Sequence, residues 1–416
     1  MTLFYKTGIF IYSQLIQFYS LFNEKAKLFV KGRKNWKQNL ASKIDGNSKY
    51  IWFHCSSLGE FEQGRPVIEE LKSQFPEYKI ALTFFSPSGF EIRKNYPLAD
   101  VVAYLPLDTK RNAQTFLEIV KPEKAFFVKY EFWYFYISEL QRRNVPLYIV
   151  SAIFRENQQF FKNTPWGLWY RKILFKVEHL FVQNEKSGEL LKSIGISNFT
   201  VTGDTRFDRV AAIARDSKKL PIVEKFKGNS LLIIAGSTWK PDEELLSAFI
   251  NQSKNIKFII AAHEVSAANI NRIHQLLKKP AVSFSKVSES EVDKYEVLII
   301  DSVGLLSSIY RYGDIAYIGG GFGVGIHNIL EAATFGLPVI FGPNYKKFKE
   351  AVDLISEGGA FSVSNATELR DALDKLIDDR DERQKASQFC NNYVAKNVGS
   401  TKHIVKKVFN IGRVLN

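Results

Sequence analysis

Short, uninterrupted apolar runs recur along this chain, and a segment of helical periodicity follows most of them. The first series reads "YIWFH" (50–54), "KIALTFF" (79–85), "VVAYL" (101–105), "AFFV" (125–128), "LYIV" (147–150) and "HLFVQ" (179–183). A second series begins after "TGDTRFDRVAAIARDSKKLP" (202–221), with "SLLIIAG" (230–236), "IKFIIAAH" (256–263), "EVLIID" (296–301), "IAYIGG" (315–320) and "PVIFG" (338–342). Runs without polar alternation describe strands buried on both faces, which means parallel sheets covered by helices. At 416 residues the chain exceeds one ordinary core. The fold class is therefore α/β, with two doubly wound domains meeting near residues 205–225. A cleft is expected between them, with ligands beyond the carboxyl ends of the strands.

Ahead of the first strand lies "LFYKTGIFIYSQLIQFYSLF", Leu3 to Phe22. Twenty helical residues reach roughly 30 Å, enough for a bilayer core. Yet Lys6, Ser13, Gln17, Ser20, Glu24, Lys27 and Lys31 recur at helical spacing, leaving Phe, Ile, Leu and Tyr on the other face. Residues 1–40 carry seven basic side chains against Glu24 alone, a large share of the chain's net charge of +14. A polar stripe with basic residues following predicts a helix lying in the interface of an anionic membrane. An amphipathic helix packed on the protein's own body is the alternative. No small-residue cleavage site marks a signal peptide. Because the charge concentrates here, nucleic-acid binding is not expected.

Two cysteines, Cys55 and Cys390, exclude a disulfide framework, and the six histidines include no pair at metal-ligand spacing. Asp379-Arg380-Asp381 has the D-x-D spacing of metal-dependent sugar transferases, but in so charged a stretch it reads as a solvated helix or turn. The aromatic stretch "YEFWYFYISEL" (130–140) would be apolar nearly all round as a helix. That means core, with a few rings available to line a site for a greasy substrate.

Three loops carry candidate chemistry. In "YIGGGFGVGIHNILEAATFGLP" (317–338) a strand ends in three glycines and a helix is expected from His327 or Asn328. Such a start can hold an anion, and Glu331 can bind a ribose's vicinal hydroxyls. No G-x-G-x-x-G or G-x-x-x-x-G-K-[ST] frame fits. "AGSTWKPDEELL" (235–246) puts Ser237 or Thr238 at an N-cap, with Pro241 and three acids in the first turn. Capping explains that loop, and a ligand contact from Ser237 would be additional. In "FHCSSLGEFEQG" (53–64), Glu60 follows Gly59 where a helix begins. It can cap that helix, or act as a general base at the sheet's edge.

"IWFHCSSLGE" resembles the W-x-H-x-x-S-x-G-E signature of the 3-deoxy-D-manno-octulosonic acid (Kdo) transferases, which act on lipid A precursors. Further similarity follows in order: "VTGDTRFD" (201–208), "AGSTWKPDEE" (235–244), "DSVGLLSSIYRYGDIAYIGGGF" (301–322) and "GIHNILEAATFGLPVIFGPNYKKF" (325–348). The resemblance implies the GT-B fold: a membrane-associated helix and basic linker over 1–36, a Rossmann-like acceptor-binding domain over 37–210 and a Rossmann-like CMP-sugar-binding domain over 211–416. It makes Glu60 the catalytic base. Ala261, Ala262, Val303, Gly304, Leu305, Asn328, Ile329, Leu330 and Glu331 match the cytidine monophosphate site. Ser57, Gly59, Glu131, Arg206, Ser237 and His263 are further substrate-site candidates. Departures stand at Ala261-Ala262, where the family has Pro-Arg; at Leu305, for Glu; at Lys129, for Glu; at Asp204, for Asn; and at Arg206, for Lys.

The expectation is an inverting transfer of Kdo from CMP-Kdo to lipid IVA, with no metal or other cofactor, at the cytoplasmic face of the inner membrane. Another GT-B enzyme, whether a lipid-linked sugar transferase or a nucleotide-sugar epimerase, would share the Asn328 loop. A non-enzymatic two-domain binding protein would lack a poised base.

Overall fold

The structure is a computed structural model, and it describes residues 1–410. Two compact units divide the chain: Met1–Arg209 with the last helix, and Val210–Val398.

The first unit holds a seven-stranded parallel sheet. Its strands are β1 (Tyr50–Cys55), β2 (Lys79–Phe84), β3 (Val101–Tyr104), β4 (Pro122–Val128), β5 (Leu147–Ala152), β6 (His179–Val182) and β7 (Phe199–Val201), in the order β3-β2-β1-β4-β5-β6-β7. β1 is buried along its whole length. Trp52 on one face meets Phe116, Phe127 and Tyr136, while Phe53 on the other stacks on Phe126 at 4.7 Å. Each fully buried ring contributes about 2–3 kcal/mol. Alternate β1 residues feed two different cores, which is why the run is apolar throughout.

The second unit repeats the plan with β8 (Leu231–Thr238), β9 (Ile256–Ala262), β10 (Ala281–Ser283), β11 (Val297–Ile300), β12 (Ile315–Ile318), β13 (Val339–Phe341) and β14 (Ala360–Ser362). Their order is β10-β11-β9-β8-β12-β13-β14, again all parallel. Three strands escape the sequence reading: β7, β10 and β14. Each has three residues and lies at a sheet edge, too short for a period to register.

The C-terminal helix, Ser400–Val408, departs from the expected boundary of 211–416. Ile404 and Val405 are buried with Ile51, Val67 and Leu71 of the first unit. Asp208 accepts bonds from the backbone N–H groups of Gly399 and Thr401, so the chain returns to the first unit before it ends.

The N-terminal segment also differs from the continuous helix implied by its polar stripe. A first helix, Thr2–Tyr19, stops at Ser20, and Asn23 caps a second, Glu24–Lys31, by accepting from Ala26 N–H. No residue of the first helix is buried, and Leu3, Phe4, Phe10, Leu15 and Phe18 are all more than 60% exposed. Packing on the body therefore uses only part of the apolar surface of this helix. The side turned inward carries Thr2, Tyr5, Ile9, Ser13 and Ile16, each partly covered. Among the described residues no helix is long and apolar enough to cross a membrane.

Candidate active site

In the first sheet, β2 and β3 lie on one side of β1, and β4 to β7 on the other. The loops after β1 and β4 therefore flank the topological switch point, where doubly wound sheets bind ligands. Ser57 and Glu60 come from the first loop, Glu131 from the second.

Glu60 closes a capping box on the Leu58–Gln74 helix. Its Oε2 accepts from the Ser57 N–H at 3.0 Å and also from the Ser57 hydroxyl. The carboxylate is half-buried and Gly59 beside it is exposed. Capping thus engages one oxygen, Oε2, and fixes the side chain's rotamer.

Glu131 ends a buried polar chain. Trp52 Nε1–H donates to Thr83 Oγ1 at 2.8 Å, His54 Nδ1 lies 2.9 Å from that oxygen, and His54 Nε2 lies 3.3 Å from Glu131 Oε2. Trp133 Nε1–H donates to the same carboxylate oxygen at 2.7 Å. The aromatic helix begins only at Tyr134, so Tyr130–Trp133 form a turn after β4. Lys129, with a left-handed φ of 62°, redirects the chain there.

Arg206 ion-pairs with Asp204 at 2.8 Å, and Asp204 also accepts from Gln63 Nε2 at 2.9 Å. Burial would raise the Asp204 carboxyl, but the Arg206 charge and these hydrogen bonds outweigh it and hold the group below its ordinary value. The acid standing in place of the family's Asn is thus neutralised by the arginine two residues on.

The strand order of the second sheet reverses between β8 and β12. After β12 the glycine loop presses on its neighbours: a Cβ on Gly319 would lie 2.3 Å from the Ser237 carbonyl oxygen, and one on Gly321 2.6 Å from Gly342 Cα. The expected helix from His327 or Asn328 is shorter, running from Leu330 to Ala333. Gly336, at φ 71°, turns the chain, and Leu337 precedes a proline, which disfavours helix. Asn328 Oδ1 accepts from Leu330 N–H at 3.2 Å, and its Nδ2 donates to Glu331 Oε1 at 3.1 Å. A helix this short has little dipole, so any anion held here would rely on individual N–H donors and the Asn328 amide. Ile329 and Leu330 are buried, leaving their backbone as the only functional surface.

Ser237 is not the N-cap expected. It is a strand residue of β8 with a left-handed φ of 53°, and Trp239 occupies the cap position of the Lys240–Ile250 helix. Asp242 in that helix's first turn is 1% exposed and does more than cap. It accepts from Trp239 N–H, from Gly320 N–H at 2.9 Å and from the Tyr317 hydroxyl at 2.8 Å, so it ties the glycine loop to β12. Trp239, His263 and His327 stack, with ring centroids 4.4 Å apart for Trp239 and His263 and 4.5 Å for the two histidines. Burial, then the neighbouring His263, pushes the His327 imidazole down. The clue to this stack lay in single aromatic residues in the loops after three different strands, β8, β9 and β12, which no local spacing connects. Ala261 and Ala262 end β9 with buried side chains, and their backbone alone reaches the edge. Val303 is 87% exposed, Gly304 has φ 90°, and Leu305 precedes the Leu306–Ile309 turn of helix. These segments therefore share the carboxyl edge of one sheet, after β9, β11, β8 and β12.

Among the described residues no group of three or more His, Cys, Asp or Glu side chains is placed to hold a metal ion. Asp379 caps the Arg380–Asn397 helix by accepting from Glu382 N–H.

Two doubly wound domains, with candidate residues at both switch points, are the architecture of the two-domain GT-B class. Residues 34–209 match the family described as 3-deoxy-D-manno-octulosonic-acid transferase, and residues 222–392 match glycosyl transferases group 1. The 3-deoxy-D-manno-octulosonic acid transferase of Aquifex aeolicus is 31% identical over 79% of this chain and 86% of its own length. That of Haemophilus influenzae is 26% identical over 85% of both. The fold is shared with the UDP-GlcNAc 2-epimerase of Neisseria meningitidis, at a TM-score of 0.61 and 17% identity over 87% of this chain and all of that one. The chain belongs to the Kdo transferase family, and is a glycosyltransferase of lipopolysaccharide biosynthesis.

Proposed function

We propose that the protein transfers Kdo from CMP-Kdo, with inversion and without a metal, to a hydroxyl of the lipid A precursor lipid IVA. Glu60 carries the reading. Its Oε2 is occupied by Ser57, which aims Oε1 as the general base at the carboxyl edge of the first sheet. The acceptor oxygen forms a bond to the anomeric carbon and gives its proton to Glu60. The bond from that carbon to the CMP phosphate oxygen breaks, and its electron pair leaves with CMP. In the second unit, the Asn328 amide and the backbone N–H groups beside it receive the phosphate, Glu331 the ribose, and the backbone of Ala261, Ala262 and Val303–Leu305 the rest of the nucleotide. Neutralising that phosphate by N–H donors leaves no step that needs a metal.

A lipid acceptor places the enzyme at the cytoplasmic face of the inner membrane. The exposed apolar face of the Thr2–Tyr19 helix and the basic residues after it suit an anionic surface. One assay tests the reading: purified protein, radiolabelled CMP-Kdo and lipid IVA in anionic liposomes, with products separated by size. Labelled lipid is expected, insensitive to a chelator. Label left wholly on CMP-Kdo, or transfer from a UDP-sugar instead, would overturn it.

A further inference from the structure

At the carboxyl edge of the first sheet lies a cavity of about 630 Å³, within the range of small-ligand sites. Its walls come from the N-terminal helix, the loops after β1, β2 and β4, and the segment around residues 157–160. Aromatic and aliphatic side chains, Ile9, Phe85, Phe132, Trp133, Phe160 and Tyr170 among them, make up more than half of the lining. These rings brace one another, with Phe85 and Trp133 centroids 4.7 Å apart and Phe132 and Phe160 also 4.7 Å apart. Ser56 and Glu131 add polar groups where the cavity meets the switch point. Tyr130, another lining residue, has its phenol pushed up by burial first, and the charge of Glu60 acts in the same direction against Arg155. Ser56 lines the cavity and its neighbour Ser57 holds Glu60, so the cavity adjoins the loop that carries the candidate base.

The opposite side is formed by the first helix. Tyr5 and Ile9 line the cavity, while Phe10, Leu15 and Phe18 of the same helix are exposed. Ile9, partly covered, thus lines the cavity directly beside the exposed Phe10. A nucleobase or a sugar would need donors and acceptors along its edges; the amides of Asn157, Gln158 and Gln159 offer some in one segment, but ring faces are the larger part of these walls.

We propose that this cavity seats one acyl chain of the lipid acceptor, entering past Ile9, so that the sugar to which the chain is attached is held at Glu60. The inference rests on the lipid-acceptor reading above and names how that acceptor is held. Affinity for the acceptor then comes largely from apolar burial remote from the reacting hydroxyl.

The test uses the full chain and two readouts. ω-Bromododecanoic acid, below its micelle concentration, should quench tryptophan fluorescence saturably, because Trp133 forms part of the wall. Ile9→Asp puts a carboxylate at the cavity's edge on a helix with no buried residue, so the core is untouched. It should weaken quenching about tenfold, and Ile9→Leu should restore it. Leu15→Asp, on the same helix outside the cavity, should leave quenching unchanged while weakening liposome binding. With lipid IVA, Ile9→Asp should raise KM about tenfold at unchanged kcat, whereas a deacylated acceptor should show equal KM in both proteins. Absence of saturable quenching in the unaltered protein, or equal loss in Ile9→Asp and Leu15→Asp, would overturn the proposal. Saturable, Ile9-dependent quenching without Kdo transfer to either acceptor would instead overturn the functional reading and leave an acyl-binding cavity.

Discussion

The Tyr5 hydroxyl donates a 2.6 Å hydrogen bond to Oδ2 of Asp108, a carboxylate only 1% exposed. Asp108 also accepts from the backbone N–H groups of Phe135 and Tyr136. One side chain of a helix without a buried residue thus reaches a buried acceptor, and the rings of Tyr134, Phe135 and Trp169 surround it.

Tyr5→Phe keeps those ring contacts and removes the hydrogen bond to a charged group, worth about 1.5–3 kcal/mol. The loss should be local. Amide exchange within Thr2–Tyr19 should accelerate about tenfold or more, while the denaturant midpoint of the first unit moves little. Unchanged exchange in that helix would show that ring packing alone holds it.

Asp108 itself makes a pH prediction. Burial raises its carboxyl from 3.8 to about 6, against the lowering effect of the Tyr5, Phe135 and Tyr136 donors. The folded domain therefore holds this proton more tightly than the unfolded chain. Its contribution to stability is full below about pH 4 and is lost as pH rises through about 6. Urea midpoints of the unaltered protein and Asp108→Asn, measured from pH 4 to 7, should converge or cross. The stability difference should change by about 2 kcal/mol against the unaltered protein as pH rises.

At Gly319 the glycine loop after β12 passes the end of β8 so closely that a Cβ would strike the Ser237 carbonyl. Backbone on both sides cannot yield as a flexible side chain could. Gly319→Ala should cost about 1–3 kcal/mol and displace the loop that Asp242 holds through Gly320. Thermal shift by CMP should vanish in this variant. A full CMP shift would remove the loop from the donor site.

The strand-helix alternation was legible because both faces of β1 and β8 are covered, so their apolar runs are continuous. Glu60 could be read as a first-turn acid because it follows Gly59 where a helix begins, whereas Ser57, taken only as a substrate-site candidate, turns out to share a capping box with it. Asp242 looked like an ordinary first-turn acid, since its partners Tyr317 and Gly320 stand 75 and 78 residues away. The stack of Trp239, His263 and His327 was hidden for the same reason. The helix at Asn328 was overestimated because its apolar residues suit a helix, whereas Gly336 and Pro338 cut it short. The C-terminal helix carries an amphipathic pattern that does not say which unit covers its apolar face.

Glu60 caps its helix through Oε2, so its two roles can be separated by choosing which bond to remove. Glu60→Gln retains an oxygen to accept from Ser57 N–H but loses the basicity that transfer needs. Its denaturant midpoint should stay within about 0.5–1 kcal/mol of the unaltered protein, and its CMP affinity should not change. Turnover should fall by about 10²–10⁴-fold. Ser57→Ala does the converse: it leaves the carboxylate and removes the hydroxyl that fixes it. Stability should drop by about 1 kcal/mol and turnover only several-fold, from a base less well aimed. If Glu60→Gln instead keeps turnover and loses stability like Ser57→Ala, the carboxylate is a cap alone. The base must then be sought across the same switch point, where Glu131 stands between Trp133 and His54.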